Sequence, residues 1–345
     1  MRFGAYLSCK PSHALENSVI SLNLIDNFDK ICYAIIVNSK HALLKFLLGK
    51  GLFMENLKKI AITTDTNSGM LPHENEDQGI FVLPMPFVID SVSLLESVDI
   101  TREEFYQKLL SGSKVSTSQP SVTDVTEFWN KILEEYDEIV HIPTSSHLSN
   151  SCSTAQALSK EFDGKVTVVD NHRISVSLKS SVFDAVKLRD SGKTSAEIAK
   201  YLEDTGSDYC IYFSLESMEY LKRGGRISPA AAAIGSILKL RPVLHLGGET
   251  LDKFALPRTL VKAKDIMKNA IAKDLSEKFK KYVDDGEMRL VVVHGENKED
   301  AEIFQAEIQK LFPSVPFLWD DPMSLSISCH TGPGTLAVGC IRVVK

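Results

Sequence analysis

The sequence predicts an α/β protein in two parts, a parallel-sheet α/β N-terminal domain followed by an α+β C-terminal domain. Three observations predict it. From Lys59 onward, short apolar runs alternate with amphipathic segments, the pattern of a largely parallel sheet with helices on its faces. Near residues 205–208 the pattern gives way to glycine-rich loops and further strands. The chain is also large enough for two cores, with 345 residues of which 43% are hydrophobic.

The order of elements starts with an irregular leader, residues 1–53. Two readings of it compete: a real extension, or translated sequence upstream of a start at Met54, and the second is expected. Residues 54–206 form the α/β domain. Strands are expected at 60–63, 80–88, 138–143 and 165–170, and helices at 103–110, 125–135, 151–161, 176–191 and 195–204, where apolar residues recur at three- and four-residue steps. Residues 207–345 form the second domain, with strands at 209–214, 243–246, 290–294 and 335–344. A short helix is expected at 229–238 and a long one at 260–283.

Composition narrows the function. Net charge is −6 with Lys and Arg scattered, so no basic face is supplied for nucleic acid or an anionic membrane. The six cysteines lie far apart without CxxC spacing, which points to reduced thiols rather than a metal site or a disulfide scaffold. No stretch reaches the ~20 apolar residues of a membrane span. Residues 1–23 carry only Arg2 and Lys10 and no clear apolar block, so no secretory signal is read and a cytoplasmic location is expected.

Four segments carry candidate chemistry. Thr117-Ser118-Gln119-Pro120-Ser121 precedes a helix whose first turn holds Asp124, so its hydroxyls suit either capping or an anion at the helix N-terminus. The run from Thr144 through Ser145, Ser146, His147 and Ser149 to Ser151 follows a strand, and so stands outside the carboxyl end of a parallel sheet, where such sheets bind ligands. Short hydroxyls in two neighbouring loops suit a carboxylate, which accepts several hydrogen bonds at once. Arg223-Gly224-Gly225-Arg226 reads as a tight turn or a close backbone approach. His330 and Thr331 open a glycine-proline turn ahead of a strand, a common setting for a functional histidine as well as a structural one.

These segments, with Asp65-Thr66 after the first strand, occur together and in order over about residues 57–345, and in this the chain resembles the DegV family. The resemblance implies a two-domain fold with one long-chain fatty acid held between the domains, and no catalytic residue, metal or cofactor. It implies that Thr117, Ser118, Ser145 and Ser146 meet the carboxylate, with His330 and Thr331 beside it. It further implies presentation of the carboxyl group to a fatty acid kinase, with Arg258 at the family's basic position and Arg223 and Arg226 near the head group or the partner. The sequence departs from the family at His147 and Asn150, which stand where glycine is usual, and over residues 171–178, which lack the typical glycines.

The physical chemistry permits such binding. Burying about 16 carbons at ~0.8 kcal/mol per methylene gives roughly 12 kcal/mol, against an association cost of ~4 kcal/mol or more. Rival readings are weaker. Ser145 or Ser146 with His330 and Asp65 could form an acyl hydrolase, but no GxSxG elbow surrounds either serine. Phosphoryl transfer lacks a GxxxxGK[ST] loop, and another acyl lipid remains the alternative ligand.

Overall fold

The computed structural model describes residues 58–226, 240–247 and 251–345. The leader and the helix expected at 229–238 lie outside the described residues. Residues 58–345 form a unit of their own.

Strand β1 (Ile60–Asp65) is buried along its whole length, as a central parallel strand covered on both faces must be. Strand β2 (Ile80–Leu83) pairs with it, but the run expected at 80–88 then breaks at Pro84. Proline supplies no N–H to a ladder, and the chain leaves the parallel sheet to form β3 (Pro86–Ile89) and β4 (Val92–Leu95) of a small antiparallel sheet. Helix α1 (Arg102–Leu110), opened by a Thr101–Glu104 capping box, leads to β5 (Val115–Thr117), the third strand of that sheet. Helix α2 (Val122–Leu133) starts at a Ser121–Asp124 capping box. Then follow β6 (Glu138–Ile142), α3 (Ser151–Leu158), β7 (Val166–Val168), α4 (Val176–Asp190) and α5 (Ser195–Asp204).

The parallel sheet runs β2-β1-β6-β7. Val125, Trp129 and Ile132 of α2 and Ala155 of α3 pack on one face, and Leu178, Val182 and Ile198 of α4 and α5 on the other. The three layers expected for this half are present.

The second sheet begins at β8 (Tyr209–Ser214). After α6 (Glu219–Gly224) come β9 (Val243–Leu246), β10 (Leu251–Ala255), α7 (Leu260–Ser276), α8 (Lys280–Asp284), β11 (Met288–Gly295), α9 (Lys298–Leu311), β12 (Phe317–Pro322), α10 (Leu325–Thr331) and β13 (Thr335–Arg342). Its order is β10-β9-β8-β13-β11-β12, antiparallel except for the β11–β12 pair. The helix expected over 260–283 is broken between Ser276 and Lys280, where Phe279 turns into the core. Neither glycine nor proline marks that break, so the apolar spacing continues across it.

Alternation along the strands gives the second sheet two different faces. Cys210, Tyr212, Val292, Val338 and Cys340 point toward α7 and α9 and join Met267, Ile271 and Phe304 in one core. Ile211, Phe213, Leu246, Val293 and Ala337 point the other way, with Leu221 of α6 and Met323. That second face lines the site.

Candidate functional site

The site is a cavity of about 240 Å³. Ile211, Phe213, Leu246, Leu251, Val293 and Ala337 of the second sheet make its apolar floor, with Met85, Ile174, Met323 and Ile327 above. Asn67, Thr144, Leu148, Ser149, Asn150 and Ser175 enter from loops that follow β1, β6 and β7, all at the carboxyl ends of parallel strands. Thr117, Ser118 and Gln119 come from the end of β5, and His330 and Thr331 from the last turn of α10. One cavity therefore has a hydrocarbon part and a hydroxyl-rich part.

The central polar contact joins residues 213 positions apart, with Thr117 Oγ1 2.9 Å from His330 Nε2. Burial, with the Arg226 charge adding to it, pushes the His330 imidazole down to about 4, so the ring is neutral near pH 7. In the tautomer with Nε2–H, the ring donates to Thr117 and leaves the threonine hydroxyl proton to donate into the cavity. His330 Nδ1 is buried with no hydrogen-bond partner among the described residues. Sequence reasoning set His330 in a turn; it lies instead at the end of a helix that Ser324 caps, and the turn begins at Gly332.

A buried hydrogen-bond chain fixes the loops. The Asp65 carboxylate accepts from Asn67 N (3.0 Å), Thr144 N (2.7 Å) and Thr144 Oγ1 (2.8 Å). Burial raises its proton affinity while these donors pull the other way. Asn67 Nδ2 donates to Thr144 Oγ1 at 3.1 Å, and Asn67 Oδ1 accepts from Ser324 Oγ at 3.1 Å. The loop after β1, the loop after β6 and the start of α10 are thus held in one network.

Ser145 and Ser146, expected to meet the carboxylate, are not among the residues that line the cavity. The Ser145 N–H donates to the Arg173 carbonyl, and its hydroxyl accepts from His147 N, so the side chain braces its own loop. The Ser146 N–H faces Asp170 at 3.3 Å. Thr144 and Ser149 are the hydroxyls from this segment that reach the lining. The segment's composition announced hydroxyls, but its irregular turn hid which ones face inward.

Positive φ falls at His172 (58°) and Ser175 (57°), and at neither His147 nor Asn150. The segment that lacks glycines therefore holds its bends with other residues. Arg173, fully buried, secures it by donating to the carbonyls of Thr205 and Gly206 and to Ser181 Oγ.

Of the basic candidates, Arg226 is exposed at the cavity lining and donates to the Gly224 carbonyl. Arg223 is exposed on α6, paired with Glu219 at 2.6 Å. Arg258 is exposed between β10 and α7, outside the lining. Among the described residues no cluster of His, Cys, Asp and Glu could hold a metal ion, and no helix is long and apolar enough to cross a membrane.

The family model described as an uncharacterised protein, DegV family, matches residues 59–343. The chain belongs to the DegV family. A DegV domain-containing protein of Clostridium perfringens is 31% identical over 82% of this chain and 97% of its own length. Among solved structures, a fatty-acid-binding DegV family protein from Thermus thermophilus is 27% identical, with a TM-score of 0.72 over 83% of this chain and 100% of that one. DegV of Bacillus subtilis, described as a fatty acid binding protein, is 26% identical, with a TM-score of 0.70 over 83% and 99%. The α/β fold expected from the sequence is thus the DegV fold.

Proposed function

We propose that this DegV family chain binds one long-chain fatty acid and presents its carboxyl group to a fatty acid kinase. The observation that carries this reading is the two-sided cavity, with an apolar floor on the second sheet and hydroxyls gathered around the Thr117–His330 contact. The acyl chain lies along Phe213, Ala337 and Val293. Its carboxylate is held by the hydroxyls of Thr117, Ser118, Ser149 and Thr331. A neutral His330 suits this role, because it hydrogen-bonds without adding a buried charge of its own. The fatty-acid-binding relatives from Thermus thermophilus and Bacillus subtilis support the same ligand class.

The protein acts as a carrier in the cytoplasm, with no chemical step of its own and no cofactor. Ser145 and Ser146, the nucleophile candidates of an acyl hydrolase, are not among the residues lining the cavity, which supports this reading. Arg226 stands where it meets the head group, whereas Arg223 and Arg258 offer exposed cations to an acidic kinase surface.

Mass spectrometry of an organic extract of the purified full chain tests the ligand. About one fatty acid per chain is expected; protein that releases no acyl lipid and takes up no added oleate overturns the reading. Arg258→Ala tests presentation. Oleate affinity should persist while phosphorylation by a fatty acid kinase falls, and loss of oleate binding with kinase docking retained would move Arg258 into the pocket.

A further inference from the structure

Glu96 is a carboxylate with only 2% of its surface exposed, just past β4 and not itself part of the cavity lining. A buried carboxylate is costly unless its oxygens are used, and both of these are. Oε2 accepts from Leu325 N at 2.9 Å, the first residue of α10, and Oε1 lies 3.4 Å from Arg102 Nη2. An anion at that end also favours the helix through its free N–H groups. The other end of α10 carries His330 and Thr331, and its partner Thr117 belongs to β5 of the same small sheet as β4. The small sheet therefore grips α10 at two points, Glu96 at the start and Thr117 at the end.

We propose that Glu96 is a positioning residue for the head-group site: its ionised carboxylate, shared between Leu325 N–H and Arg102, sets the helix that brings His330 to Thr117. The proposal rests on the fatty-acid reading for its consequence, though its geometry stands apart from any ligand. Ser324 Oγ donating to Asn67 and Tyr106 OH paired with Ser328 Oγ at 2.9 Å hold α10 as well, so losing the Glu96 charge shifts the helix rather than unfolding it.

Titration supports the same role. Burial pushes Glu96 up to about 7, against the opposing pull of the Leu325 N–H and Arg102. The groups around it are Arg102 and Tyr106 on α1 and Cys329 on α10, with Glu296 and His294 beyond Arg102. Protonation removes the anion from the start of α10. If the ionised form is the binding form, affinity falls as pH drops through about 7.

The test uses lipid-stripped full chain, oleate titrations at pH 6 and pH 8, and the His330 imidazole NMR signals without ligand. Glu96→Gln should bind oleate about tenfold more weakly than wild type at pH 8, the size of one charge-assisted hydrogen bond, and show a flatter difference between the two pH values. Glu96→Asp should recover the pH step, and the His330 signals should move in Glu96→Gln. Wild-type affinity and unchanged ring signals in Glu96→Gln overturn the proposal. If wild type binds no oleate, the fatty-acid reading fails, and the ring signals alone decide: a shift supports the positioning role and no shift overturns it. If Glu96→Gln does not fold, a wild-type affinity without the pH step overturns it.

Discussion

Gly224 lies so close to His330 that a Cβ built on it would stand 2.0 Å from the imidazole Nδ1. The glycine of the RGGR turn is thus a space requirement of the site: it lets the ring reach Thr117 from the end of α10. The ring is anchored at a helix end and cannot swing away as a long side chain would. Gly224→Ala should therefore displace His330 and weaken oleate binding by about tenfold, the cost of one good hydrogen bond to a charged group. Isothermal titration checks this, with Gly225→Ala as a comparison, since a Cβ at Gly225 meets nothing within 4 Å and only its positive φ is strained.

The Thr117 hydroxyl is the part of the site that touches both His330 and the cavity. Thr117→Val keeps the shape and removes the oxygen, leaving His330 Nε2 without its partner. Binding should weaken by about 1–3 kcal/mol, as for an unsatisfied buried polar group. Thr117→Ser should bind nearly as wild type. Equal affinity of the Val and Ser variants in a fluorescent fatty acid displacement assay would show that the carboxylate does not use this hydroxyl.

Legibility in the sequence followed periodicity. β1, β6, β8 and α5 were readable because strands buried on both faces are continuous apolar runs and α5 begins with a Thr194–Glu197 capping box. Helix α9 lies outside the helices expected from the sequence, although Ala301, Phe304 and Ile308 keep helical spacing. β12 was not legible, because Phe317–Pro322 reads FLWDDP, without alternation and ending in proline. Thr117 and His330 stood out by residue type and motif, whereas Glu96 is a single acid whose role exists only because the fold brings Leu325 to it. The choice of Thr144 and Ser149 over Ser145 and Ser146 depends on turn geometry that composition does not encode.

His141 should make stability fall in acid. It is fully buried on β6, paired with Thr63 Oγ1 at 2.8 Å and edge-on to Trp129, and burial pushes its imidazole down to about 3. The unfolded chain takes up a proton near the ordinary value of about 6.5, which the folded chain refuses until about pH 3. The unfolded state binds more protons in between, so this contribution is complete above pH 6.5 and is lost as pH falls toward 3. Glu96 and Asp184, raised to about 7 and about 6, act in the opposite sense over part of that range. The difference between wild type and His141→Gln isolates the histidine: urea unfolding from pH 7 to pH 5 should show a steeper loss in wild type. Parallel curves would mean that His141 is protonated in the fold.

Ala337 should set how long an acyl chain the cavity takes. It occupies the central strand β13 directly between Phe213 of β8 and Val293 of β11, and all three face the cavity. Its small side chain leaves a trough between two larger ones. Two residues further along the same face, Gly339 is overlain by Ile211, whose Cγ1 would lie 2.9 Å from a Cβ built there, and by Val291 at 3.2 Å. The trough is thus open at Ala337 and covered at Gly339, which makes Ile211 the wall at that end. Ala337→Leu fills the trough and should move the preferred fatty acid to shorter chains, while Ile211→Ala should move it to longer ones. Each methylene shut out costs about 0.8 kcal/mol of burial, so a two-carbon shift in the preferred length is within reach of a competition series from 12 to 20 carbons. An unchanged preference in both variants would place the acyl chain elsewhere on the floor, beside Leu246 and Leu251.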